Sequence, residues 1–182
     1  GRVGSLSVGG GQLLMGHHEG AFRIGEKLAE PLLKGTGCWL FLPQATRTLI
    51  GCYNGLRTMR QTGGSFSKTL QVNVLFESLR FLTAEQDSIV WASHPYRGVY
   101  RIVTDKDTTL RFTLFNSRHG LPSDNNNFVF RIRGRMVVAT QAGIYEFDPV
   151  RQTFAPSPWL FPVLGAVPVQ FMTEDPVGNI WF

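Results

Sequence analysis

The chain has 182 residues, 43% of them hydrophobic and 17% charged, which is enough apolar material for a core and too little charge for a disordered chain. Its net charge of +5 is scattered, with no basic run longer than two, and this excludes the concentrated basic stripe of a nucleic-acid interface. No apolar stretch approaches the ~20 residues that cross a bilayer. Residues 1–11 lack the basic start and apolar run of a signal peptide, so the sequence reads as a mature or excised piece, or as a cytosolic protein.

One pattern recurs along the chain: an apolar run ending in a small residue or Thr, a few polar residues, a Gly, then an apolar-aromatic run. Its copies are LLMGHHEGAFRI (13–24), TLIGCYNGLRTM (48–59), IVWASHPYRGVYRI (89–102), with two extra loop residues, and MVVATQAGIYEFD (136–148). A fifth begins at NIWF (179–182). The loop glycines Gly20, Gly55, Gly98 and Gly143 lie 35, 43 and 45 residues apart, bracketing the period of four-stranded propeller blades.

Each copy predicts two strands joined by a hairpin. Val137 and Ala139, then Ile144 and Glu146, alternate across the chain as strand residues do, and Gly supplies the turn. An apolar run and a second turn precede each pair: 6–8 with Gly9-Gly10-Gly11, 39–42 with 44–47, 79–83 with Gln86-Asp87-Ser88, 128–132 with Arg133-Gly134, and 169–173 with 175–178. A more polar run follows, as at 110–115 and 153–156. That makes four strands per unit, termed a to d from the inside outwards.

A single such sheet cannot bury both faces, whereas radially stacked sheets cover one another. The expected fold is therefore all-β: a β-propeller fragment of about four and a half four-stranded antiparallel blades, at 1–34, 35–73, 74–122, 123–165 and a partial 166–182. The best helix candidate, GEKLAEPLL (25–33), is interrupted by Pro31. The competing folds are a sandwich of unrelated hairpins and a parallel β-helix, the second of which needs a shorter period.

The stretch FMTEDPVGNIWF (171–182) resembles the two-component regulator propeller repeat: an acidic-Asp pair, a short turn and Gly-Asn-Ile-Trp. HGLPSDNNNFVF (119–130) is similar to that family's linker between blades. MVVATQAGIYEFDPVRQTF (136–154) is similar to its portion from strand b to strand d. The first half of the chain is degenerate. The family's strand-b Trp is replaced by Leu14, Leu49 and Val137 in the first, second and fourth units, and the Thr ending strand b is kept as Thr140, with Gly16, Gly51 and Ala92 elsewhere.

This resemblance implies the periplasmic or extracellular part of an inner-membrane hybrid histidine kinase, found mostly in glycan-degrading gut bacteria. Such proteins typically carry two seven-bladed propellers, a β-sandwich, a membrane helix and cytoplasmic kinase parts, and many sense oligosaccharides. It implies an oligosaccharide ligand, the remaining blades of the parent chain and a second copy of the receptor as partners. It implies no cofactor, no nucleic acid and no membrane contact for this segment, and no catalysis by it. Because four and a half blades cannot close a seven-bladed ring, and closure removes exposed edges, the chain is expected to be a piece of a larger ectodomain.

In such a blade the b–c loops and d–a connections share one face. That face would hold His17, His18, Glu19, Tyr53, Asn54, His94, Tyr96, Arg97 and Gln141, with Ser123, Asp124, Asn125, Asn126 and Asn127 from a d–a link. The ligand-binding candidates are His17, His18, Tyr53, Asn54, His94, Tyr96, Arg97, Gln141, Asn125 and Asn126. Sugars need planar hydrogen-bond partners and aromatic faces, and Arg97 suits an acidic group.

No metal is expected at His17-His18, because neighbours on an extended strand point to opposite sides. His94 and His119 lack a paired carboxylate in sequence reach. Asp87, Asp148 and Asp175 sit where turn backbone needs acceptors. Cys38 and Cys52 fall nearly opposite each other on strands a and b. A cross-strand disulfide is conceivable there, but two packed free thiols are the favoured reading. Trp39, Trp91 and Trp181 are expected between blades, with Trp159 more exposed in its Pro-rich stretch.

Two other function classes compete with sensing. One is an enzyme similar to the streptogramin lyases, which requires a His paired with an acid. The other is a protein-binding scaffold like the WD-repeat propellers, whose Gly-His and Trp-Asp signatures are missing.

Overall fold

The computed structural model describes residues 3–45, 47–62, 65–66, 70–71, 77–105 and 109–182. Each copy of the repeat becomes an antiparallel meander. The first sheet runs in the order β1 (Val3–Gly9), β2 (Gln12–His17), β3 (Gly20–Ile24), β4 (Ala29–Lys34). The second has β5 (Cys38–Pro43), β6 (Arg47–Cys52), β7 (Gly55–Thr62) and β8 (Ser65–Phe66), with β9 (Leu70–Gln71) also pairing β7. The third is β10 (Phe81–Gln86), β11 (Ile89–His94), β12 (Gly98–Asp105), β13 (Thr109–Phe115). The fourth is β14 (Phe128–Ile132), β15 (Arg135–Thr140), β16 (Gly143–Asp148), β17 (Thr153–Pro156). After a one-turn helix, α1 (Phe161–Leu164), a two-stranded sheet follows, β18 (Thr173–Glu174) with β19 (Ile180–Trp181). This is the expected all-β propeller segment.

The weak helical signal at 25–33 yields to the sheet. Pro31 sits on the outer strand β4, opposite Phe22, where a missing N–H costs no ladder bond on the outward side.

The chain divides into two compact units, Gly1–Leu82 and Thr83–Phe182. In the first, Leu14, Ala21, Cys38, Phe41, Ile50, Cys52 and Met59 form a buried cluster between the first two sheets. Small residues let those sheets meet: a Cβ on Gly16 would stand 2.7 Å from the Cys38 carbonyl oxygen, closer than packed atoms allow. Gly51 makes the same approach to the Leu79 carbonyl. Cys38 pairs with Cys52 in the β5–β6 register, and the two form a disulfide. The favoured reading of two free thiols is thus corrected. The bulge between Cys38 and Leu40 brings the facing side chains together at the very end of the ladder, and that register is not written in the sequence.

The second unit is built around aromatic rings. Trp91 is fully buried, with the rings of Phe115, Phe147 and Phe154 centred 4.9 to 5.6 Å from its own. The small residue near the end of β11 is Ser93, whose hydroxyl accepts the Val129 N–H of the next sheet at 2.9 Å.

The ladders also correct the alignment of the repeat. Thr140 pairs with Gly143 as His17 pairs with Gly20, Cys52 with Gly55 and His94 with Gly98. Thr140 therefore corresponds to those three residues, and Gly16, Gly51 and Ser93 correspond to Ala139. The third hairpin loop, residues 95–97, is one residue longer than the two-residue loops of the others, and not two.

The Asp and Trp of the repeat turn out to be one device. Asp175 accepts the N–H of Val177 and Asn179, the Asn179 amide, and the Trp181 indole N–H at 3.1 Å. Six residues before the buried Trp91, Glu85 accepts that indole N–H at 2.7 Å. Where Leu14, Leu49 and Val137 replace the Trp, the residues six before are Val8, Pro43 and Arg131, and no acid is needed. Trp181, expected between blades, is instead 61% exposed. Trp91 is covered by rings of a neighbouring four-stranded sheet, whereas among the described residues no such sheet lies against β19.

Candidate ligand-binding face

The b–c hairpins carry the residues singled out from the sequence. In the first unit, two hairpins meet at Gly37, where an added Cβ would fall 1.9 Å from the Tyr53 ring and 2.9 Å from the His18 carbonyl oxygen. Tyr53 donates its N–H to Gly37 O at 2.9 Å, and its ring stands edge-on to Trp39 with centroids 5.0 Å apart. Arg80 stacks over the same Trp39 ring at 5.3 Å. Tyr53 is therefore 43% exposed yet held in place. Asn54 Oδ1 accepts from Thr36 Oγ1 at 2.9 Å and Arg57 Nη2 at 3.3 Å, so its acceptor is engaged within the loop.

His17 and His18 depart from the expected geometry. β2 ends at His17, and His18 is already in the turn, so the alternation of strand sides stops between them. Their rings lie 4.2 Å apart. Glu19 Oε2 is 3.8 Å from His17 Nδ1, and Oε1 is 3.8 Å from His18 Nε2. The expectation that the two histidines point to opposite sides is thus overturned.

In the second unit, His94 is 7% exposed. It accepts the Tyr96 N–H at its Nδ1, 3.1 Å away, and so shapes its loop instead of facing solvent. Tyr96 (70% exposed) and Arg97 form the open tip, and Gln141 is exposed on the next hairpin. In the d–a link, Asn116 caps the short 3-10 turn Ser117–His119 together with the His119 side chain. Asp124 accepts the Ser117 N–H at 2.8 Å. The Ser117 hydroxyl, and then its N–H, hold the Asp124 carboxyl below the usual carboxylate range. Asn127 is buried and donates to Ser123 O at 2.8 Å. Asn125 and Asn126 remain exposed, the latter with positive φ.

The sequence reading missed a cleft of about 270 Å³ lined by Glu85, Arg135, Met136, Glu146, Phe147 and Pro149. Arg135 and Glu146 pair across it at 3.5 Å. The signal was present, since they are diagonal neighbours of opposite charge on adjacent strands, but it is readable only once Gly143 fixes the hairpin register.

The meander sheets, the small residues at the ends of their second strands and the polar hairpin tips define a segment of a β-propeller. No protein-family model matches the chain, and no curated protein matches it. Two crystal structures match over 98% of it with a TM-score of 0.74, at 17% and 18% identity. Both are the extracellular domain of BT4673 from B. thetaiotaomicron, described in one as a one-component and in the other as a hybrid two-component system. The chain spans about a quarter of the length of these structures, 25% and 24%. At that identity the likeness is one of fold.

Proposed function

We propose that the chain is a segment of the extracytoplasmic, ligand-sensing part of a hybrid two-component histidine kinase that responds to oligosaccharides, with no chemistry performed by this segment. The fold likeness to the extracellular domain of such a system supports the sensing role. The observation that carries the ligand class is the pair of exposed tyrosines at hairpin tips, Tyr53 and Tyr96, each flanked by amide or guanidinium donors, Asn54 and Arg97. Flat apolar rings beside such donors suit the C–H faces and hydroxyls of sugars. The buried disulfide Cys38–Cys52 favours an oxidising compartment, which is the periplasm or the cell exterior.

The same reading accounts for Leu6, Val8 and Leu13. These are exposed together on the side of β1 and β2 opposite Leu14, a face that a further blade of the parent chain would cover.

A glycan array followed by calorimetry tests the ligand class. The expected result is binding to a subset of oligosaccharides that Tyr53→Ala or Tyr96→Ala weakens by about 1–3 kcal/mol. Uniform silence across the array, or binding indifferent to both substitutions, would overturn it.

A further inference from the structure

We propose that the tip of the first b–c hairpin binds one late first-row transition-metal dication through His17 Nδ1, His18 Nε2 and the Glu19 carboxylate. This does not rest on the sensing reading.

The three residues are consecutive, and on a continuing strand they could not converge. They do so because β2 stops at His17 and the next two residues form the turn before Gly20. One ligand atom from each lies within 4.8 Å of the others, and each carboxylate oxygen faces a different imidazole nitrogen at 3.8 Å. Donors bound at roughly 2.0–2.2 Å around a tetrahedral zinc stand roughly 3.3–3.5 Å apart, so only a small closure is required. The side chains that must move are the open ones, His18 and Glu19, at 43% and 70% exposure.

His17 is the fixed ligand. Its ring packs edge-on against Phe22 with centroids 5.8 Å apart. Its Nδ1 accepts the Glu19 N–H at 3.3 Å, so that nitrogen carries a lone pair and not a proton. A metal would take over that lone pair.

The donor set decides the class of ion. Two imidazoles with one carboxylate suit Cu²⁺, Ni²⁺ and Zn²⁺, whereas Ca²⁺ and Mg²⁺ demand oxygen ligands throughout. Three protein ligands leave coordination positions open to water or to an incoming donor.

Titration calorimetry of the chain with Zn²⁺, repeated with Ni²⁺, tests the site. The expected result is one ion per chain, undisturbed by excess Mg²⁺ or Ca²⁺. His18→Ala and Glu19→Ala should each weaken Zn²⁺ binding by at least roughly tenfold, since even the loss of an outer-shell partner costs 10–100-fold. Both substitutions lie on the exposed turn, and an unchanged circular-dichroism melt confirms that each variant is folded. His17→Ala/His18→Ala should abolish binding, with His18→Ala alone deciding the matter if the double variant does not fold. Absence of Zn²⁺ and Ni²⁺ binding, wild-type affinity in His18→Ala, or displacement by Mg²⁺ would each overturn the proposal.

Discussion

The two units solve the same packing problem with different chemistry. At equivalent positions of the second strand, the first unit has Leu14 and Leu49 and the second has Trp91 and Val137, all fully buried. Around the leucines, glycines let sheet backbones approach carbonyl oxygens directly, and a disulfide ties β5 to β6. Around Trp91 the space is filled by three phenylalanine rings, the indole N–H is met by Glu85, and Ser93 supplies an explicit hydrogen bond to the next sheet. The repeat therefore specifies where a blade must be small and where it must be large, and leaves open how the requirement is met.

The largest expected effect falls on the aromatic side. Trp91→Ala should cost about 3–5 kcal/mol in chemical denaturation, with hydrogen-exchange protection lost in residues 83–182. Equal loss of protection in residues 3–82 would break the distinction between the units.

On the other side, Cys38→Ser/Cys52→Ser should cost about 3 kcal/mol. The bond closes a loop of sequence separation 14, and the unfolded chain gains about that much freedom when such a loop is opened. A reducing agent should destabilise the wild type and leave the double variant unaffected, a contrast read from paired melting curves.

Glu85→Ala leaves the Trp91 indole N–H without its acceptor in a buried setting, a loss of about 1–3 kcal/mol. Glu85→Gln, which keeps an acceptor, should recover most of it. No difference between the two variants would mean that Trp91 is held by packing alone.

The smallest effect is electrostatic and belongs to the second unit. Hydrogen bonds from the Asn179 side chain first, then from turn N–H groups and Trp181, hold the Asp175 carboxyl below its ordinary value. The Arg151 and Val150 N–H groups do the same for Asp148. A carboxyl whose folded pKa is lowered stabilises the fold above its unfolded pKa, about 3.9, and loses that contribution as pH falls through the lower folded value. Asp175→Asn should therefore lose less stability than the wild type between about pH 4 and lower pH, measured by acid titration of the far-ultraviolet signal. A steeper acid loss in the variant would contradict the assignment.

The blade architecture was legible because spacing and alternation are properties of the sequence itself: Gly20, Gly55, Gly98 and Gly143 mark the hairpins in both sequence and structure. What lay beyond reach depended on register or on three-dimensional neighbours. The Cys38–Cys52 bond needs a bulge that no residue announces. The exposure of Trp181 depends on what stands beside β19. The convergence of His17, His18 and Glu19 depends on a strand ending one residue earlier than alternation assumes. Of the candidate residues, Tyr53, Tyr96, Arg97, Gln141, Asn125 and Asn126 are exposed, whereas His94 turns inward to serve its own loop.

The glycine that opens the third strand of a blade has a consequence for how such proteins diversify. Gly98 sits under the Phe115 carbonyl, where an added Cβ would be 2.1 Å away, and Gly20 sits likewise under Leu33 O at 2.0 Å. These crossings fix both feet of the hairpin regardless of what lies between them. The third hairpin is one residue longer than its counterparts, yet its last rung is still His94 with Gly98. The tips can therefore be lengthened, shortened or exchanged while the scaffold beneath stays the same, so new specificity can be grafted at a hairpin without redesigning the blade.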